Sequence, residues 1–138
     1  MRWIATCTLA ALAACSVLSR GPKTNQLTAQ QQRAKWTAPV ASASFQKPTT
    51  GDGGVVHIEF GMPAKIVLEI ANCYAHAHSV IGDRDQVKVT RIDPGAQAVE
   101  GVLDITDCTT QHVVAHLRAH FPDGLDVEAA IDTDLGKL

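Results

Sequence analysis

The sequence predicts an α+β domain, two helices covering a small mixed sheet in the order β-α-β-β-α-β. Three observations point there. Apolar and polar residues alternate over Val55–Phe60 and again over Leu125–Asp132, the period of a half-buried strand. Apolar residues recur at three- and four-residue spacing after Pro63 and again near Val113, the period of an amphipathic helix. Clusters of glycine and proline at Gly51–Gly54, Pro94–Gly95 and Pro122–Gly124 punctuate these runs.

The elements run in order. Val56, Ile58 and Phe60 form the buried side of a first strand, with Val55, His57 and Glu59 opposite. Gly61-Met62-Pro63 opens the first helix, since proline suits a first helical turn. Ile66, Val67, Ile70, Ala71 and Tyr74 carry that helix to about residues 75–77. Val80-Ile81 makes a short strand, stopped by Gly82-Asp83, and Val87 and Val89 make another. A loop leads to Gly101, and Leu103 and Ile105 mark the next strand. Thr106 or Asp107 caps a second helix over about 109–120, with Val113, Val114, Leu117 and Phe121 buried. Pro122-Asp123-Gly124 ends it, and Leu125, Val127, Ala129 and Ile131 form the closing strand. The acidic outer side of that strand discourages edge pairing.

Ahead of this domain (residues 51–138) lie two other segments. Residues 1–14 have the layout of a signal peptide, with Arg2, an apolar run from Trp3, and small residues before Cys15. The run is about a dozen residues, short of the ~20 that span a bilayer as a helix. Leu12-Ala13-Ala14-Cys15 resembles the lipobox of bacterial lipoproteins. That resemblance implies cleavage before Cys15, lipidation of Cys15, and a mature chain anchored to membrane. Ser16, where inner-membrane lipoproteins carry Asp, implies the outer membrane and a periplasm-facing domain. Residues 15–50 then read as a lipid-anchored flexible arm. It is rich in Gln, Ala, Ser and Thr, is interrupted by Pro22, Pro39 and Pro48, and has no sustained period.

Charge divides the same way. Arg20, Lys23, Arg33, Lys35 and Lys47 occupy the arm without one acid, and every acidic residue lies at Asp52 or beyond. An acidic domain excludes a nucleic-acid surface, which needs clustered Lys and Arg. Cys73 and Cys108 remain once the leader is cut and Cys15 is acylated. In an oxidising compartment they either form a disulfide or serve as two small buried side chains. Trp36, in Lys35-Trp36-Thr37-Ala38-Pro39-Val40, is a large aromatic that something must bury. Either a partner pocket or the protein's own domain does so.

Two segments, Val56-His57-Ile58-Glu59-Phe60-Gly61-Met62-Pro63 and Leu103-Asp104-Ile105-Thr106-Asp107-Cys108-Thr109-Thr110, resemble the paired strand-to-helix units of secretin and TonB-receptor N-terminal domains. Small outer-membrane lipoproteins of type IV secretion systems combine a lipobox, an arm and sometimes this domain. The chain resembles them in its lipobox, in the arm with Trp36, and in the paired units over Val55 to about Asp132. The resemblance implies a structural subunit of a secretion or conjugation core complex. Trp36, Pro39 and Val40 would dock a β-sandwich neighbour by strand addition, within a ring of several copies. It implies no cofactor. A secretin-associated lipoprotein of a type II or pilus system is the second reading in this class.

Enzyme chemistry has little to stand on. The sequence holds no phosphate-binding glycine loop and no Gly-x-Ser-x-Gly elbow. Asp107 reads as a helix cap rather than a catalytic acid. His112, His116 and His120 fall four apart, one stripe of the second helix, where neutral imidazoles can share a metal. No carboxylate completes the stripe at that spacing, so it reads as a solvated flank and no metal ligand is assigned. A periplasmic metal-binding module is the rival from another functional class.

Overall fold

The structure is a computed structural model and describes residues 23–47, 53–63, 65–82, 86–92 and 95–137. Among these the chain is all β, without a helix. The strands are β1 (Gln26–Gln31), β2 (Ala34–Gln46), β3 (Val55–Phe60), β4 (Ile66–Ala71), β5 (Ala77–Ile81), β6 (Val87–Arg91), β7 (Ala96–Gln97), β8 (Glu100–Cys108), β9 (His112–His120), β10 (Asp126–Asp134) and β11 (Gly136–Lys137). They form one path, β5-β8-β9-β10-β1-β2-β3-β4-β6-β7. Every pairing along it is antiparallel, and β11 adds to β2 in parallel. The path curls so that β5 and β6, far apart in pairing order, lie close together.

Both expected helices are therefore strands, and the α+β, secretin-like architecture is replaced by a curled antiparallel sheet. The reason is physical in each case. Ile66-Val67-Leu68-Glu69-Ile70-Ala71 is a short β-branched run, buried on both faces at Ile66, Val67, Leu68 and Ile70. A run apolar on both sides fits either period, and β-branched stiffness favours the strand. Pro63 does not begin a helix; Met62–Pro63 is a cis peptide in the β3–β4 connection. Residues 112–120 alternate strictly, with Val113, Ala115, Leu117 and Ala119 buried and His112, Val114, His116, Arg118 and His120 outward. That is the two-residue period of a half-buried strand.

The segment expected to be a flexible arm supplies β1 and the long β2 at the middle of the path. Leu27, Ala29 and Ala38 are wholly buried there. A two-residue turn at Gln32-Arg33 joins the strands, with Gln32 at φ 53°. Positive φ is what lets a tight hairpin turn match the strand twist. β2 pairs β1 through Pro39 and β3 from Val40 onward, with a bulge between Val40 and Ser42, so it carries the sheet around its curl. Cys15 and Pro48 lie outside the described residues, as do the leader and the first residues of the arm.

One core fills the curl. β3 and β4 contribute large side chains, Val56, Ile58, Phe60, Ile66, Leu68 and Ile70. β1, β2, β9 and β10 contribute many small ones, Ala29, Ala38, Ala115, Ala119 and Ala129. These alanines, set among Leu27, Leu103, Leu117 and Ile131, leave room for the bulk of β3 and β4. Gly101 belongs to the same close packing, since at φ 146° a Cβ there would stand 2.1 Å from the Arg118 carbonyl oxygen. Of the two fates open to Cys73 and Cys108, the structure takes the disulfide, with Cα atoms 5.9 Å apart. It joins the segment after β4 to the end of β8, linking the two halves of the path.

Candidate functional site

β9 and β10 form a hairpin around Phe121–Leu125. Phe121 N–H donates to the Leu125 carbonyl at 2.8 Å, and Asp123 Oδ1 accepts from Leu125 N–H at 3.3 Å. That turn sets the register, placing His120 opposite Asp126, Arg118 opposite Glu128 and His112 opposite Asp134. Because the inner positions are apolar, all of these side chains emerge on the outer face. Cross-strand neighbours there stand about 4.5–5.5 Å apart at Cβ, within reach of one another.

The result is a histidine–carboxylate ladder. His120 Nδ1 lies 2.5 Å from Asp126 Oδ1. Glu128 Oε2 takes both His116 Nε2, at 3.1 Å, and Arg118 Nε, at 3.0 Å. His112 touches two acids, Asp134 Oδ1 from Nδ1 at 2.7 Å and Asp132 Oδ1 from Nε2 at 2.6 Å. On β8, Asp104 pairs with His78 of β5. With His57–Glu59 added at 3.3 Å, five of the six histidines face a carboxylate among the described residues.

These contacts raise the affinity of two imidazoles for a proton. For His112 the hydrogen bond to Asp134 is the largest cause, followed by that to Asp132; partial burial opposes them. For His120 the bond to Asp126 leads, and the charges of Glu100 and Asp123 add to it. Both therefore hold a proton to a higher pH than a free imidazole. Beside the ladder the outer surface is dished into an open trough of about 830 Å³, with Gln26, Thr28 and Lys35 on one side and Glu100, His120 and Glu128 on the other.

The expected site residues are scattered relative to this face. Trp36 lies in β2, half-buried against the core, with the Arg91 guanidinium 5.9 Å from its ring centroid. The protein's own domain covers part of the ring. Val40 packs beside the same core, and its N–H donates to the Asn25 carbonyl at 2.9 Å. Pro39 is exposed, and its carbonyl accepts from Gly61 N–H at 2.9 Å. The histidine stripe is real but is a strand stripe. Residues four apart on a strand are separated by about 13 Å rather than the ~6 Å of a helical turn, too far to share one ion. His112 has two acids near it, but they sit on opposite ring nitrogens and do not converge on a point. Among the described residues no group of three His, Cys, Asp or Glu is arranged to hold a metal.

Asp126, Glu128, Asp132 and Asp134 have no visible tie to the stripe when it is read at helical spacing. A signal for them is nonetheless present. Counting outward from Pro122-Asp123-Gly124 as a hairpin turn pairs 120 with 126 and 112 with 134. No family model matches the chain, and no curated protein or solved structure is found similar to it.

Proposed function

We propose that this chain is a lipid-anchored β-domain of the bacterial envelope that holds a partner rather than transforming one. The Cys73–Cys108 disulfide carries the reading, because structural disulfides belong to oxidising compartments. The lipobox-like Leu12-Ala13-Ala14-Cys15 points to the same side of the membrane. The ladder supports a role in contact and electrostatics. Its acids are matched to imidazoles, and no nucleophile stands beside a base in it.

Assignment to a type IV secretion core complex has lost two of its three supports. The segments that resembled strand-to-helix units are strand segments, and Trp36 is packed into a strand. The lipobox remains, and it is common to many envelope machines.

Labelling cells with a clickable fatty acid tests the reading. The wild type is expected to take up label, fractionate with outer membranes and shift on a gel when reduced. Cys15→Ala should lose label and membrane association together. An unlabelled wild type, or one whose Cys73 and Cys108 are free thiols in the cell, would sink the proposal.

A further inference from the structure

His112 has both ring nitrogens occupied by acceptors, Asp134 at 2.7 Å and Asp132 at 2.6 Å. Ionised carboxylates only accept, so both nitrogens must carry hydrogen and the ring must be the imidazolium. Removing one proton leaves a lone pair facing a carboxylate oxygen, and one of the two contacts has to part. The acids themselves sit two residues apart on β10, about 7 Å, and repel once the cation between them is gone.

Asp132 is the better tethered of the two. Its N–H donates to Asn25 Oδ1 at 2.8 Å and its carbonyl accepts from Asn25 Nδ2 at 2.7 Å. Asp134 has a side chain 94% exposed, against 55% for Asp132, so it is the one free to leave. The chain beyond Asp134 is lightly held. Leu135 is buried and donates its N–H to the Gln111 carbonyl at 2.8 Å. Among the described residues, β11 then pairs β2 at Gly136 with Ser44 and Lys137 with Phe45.

We infer that Asp132, His112 and Asp134 form a proton-operated latch that holds Leu135 and β11 on the sheet in mildly acidic solution and frees them in mildly alkaline solution. Freeing them bares the edge of β2 at Ser44–Phe45, where an extended strand can pair. The charged and titratable groups around the ring are few. β10 presents Asp132 and Asp134, β8 presents Asp107 opposite Val114, and β9 presents His116 four residues along the same face. Neither stands as near the ring as Asp132 and Asp134 do; His116 is engaged with Glu128 and lies about 13 Å along the strand.

Methyl-labelled full chain in detergent micelles provides the test, with Leu135 as reporter and Val113 and Ile131 as core controls. At about pH 5.5 the Leu135 methyls should show contacts to the core; at about pH 8.5 they should collapse to free-leucine shifts while the controls stay dispersed. The midpoint should lie above the ordinary imidazole value of about 6.5. His112→Gln should abolish the transition, and His120→Gln should leave it in place. Should His112→Gln lose the core signals altogether, Asp134→Asn decides, because a neutral amide tolerates either state of the ring and should remove the transition. Leu135 that stays buried in the wild type at alkaline pH, or a transition that persists in Asp134→Asn, overturns the latch.

Discussion

The two ends of the β9–β10 hairpin are closed by opposite kinds of ion contact. At the turn end, Arg91 reaches Asp123 at 3.2 Å while its guanidinium lies over Trp36. Its side chain is only 13% exposed. Arginine stays charged at any pH a protein survives, so this end is closed permanently. At the strand end, His112 joins Asp132 and Asp134, and its charge comes and goes near neutrality. One hairpin thus has a fixed clasp and a conditional one. The difference comes down to a single choice of cation.

Breaking the tether near the conditional end should have the largest effect. Cys73→Ala with Cys108→Ala opens a loop of sequence separation 35 and should cost about 4 kcal/mol in urea unfolding, by loop-closure entropy. The same loss should appear when the wild type is unfolded in reductant. Next comes the fixed end. Trp36→Ala should cost about 2–3 kcal/mol, somewhat under a fully buried Trp truncation. A variant that instead keeps full stability but loses an envelope partner would restore Trp36 as a docking residue. Arg91→Met should cost about 1 kcal/mol through the lost cation–π and ion contacts, with the pH dependence of stability unchanged.

The smallest effect is the most specific to the comparison. His112 and His120 have folded-state values raised above the unfolded one. Their contribution is complete below the unfolded value and is lost as pH rises through the folded values. The melting temperature should therefore fall between mildly acidic and mildly alkaline pH. His112→Gln with His120→Gln should flatten that slope, whereas Asp123→Asn should lower the whole curve and flatten it only slightly, because Asp123 is a minor cause of the His120 shift.

Part of this fold is legible in the sequence. The strand periods at Val56–Phe60 and Val127–Ile131, and the strands around Val80, Val87 and Leu103, all stand in the structure. The turn at Pro122–Gly124 stands too, as a hairpin rather than a helix stop. Residues 112–120 mislead because Val113, Val114, Leu117 and Phe121 also satisfy a helical stripe. The competing period is cleaner, since Val113, Ala115, Leu117 and Ala119 alternate without a break, but alanine is a weak marker of burial. The same weakness hides β1 and β2, whose inward residues include Ala29 and Ala38 among Gln and Thr. The ladder depends on the period. With His112–His120 taken as a helix, no carboxylate lies within reach, and the acids of β10 have no visible partner.

β1 lies between β10 and β2, antiparallel to both, and begins just after Lys23. A pull entering the domain from the N-terminal side meets β1 end-on. It would have to slide β1 past two neighbours at once, loading a whole row of hydrogen bonds together rather than opening them one by one. If Cys15 is the membrane tether, the protein side of the attachment is then made fast in the fold's interior rather than at an edge.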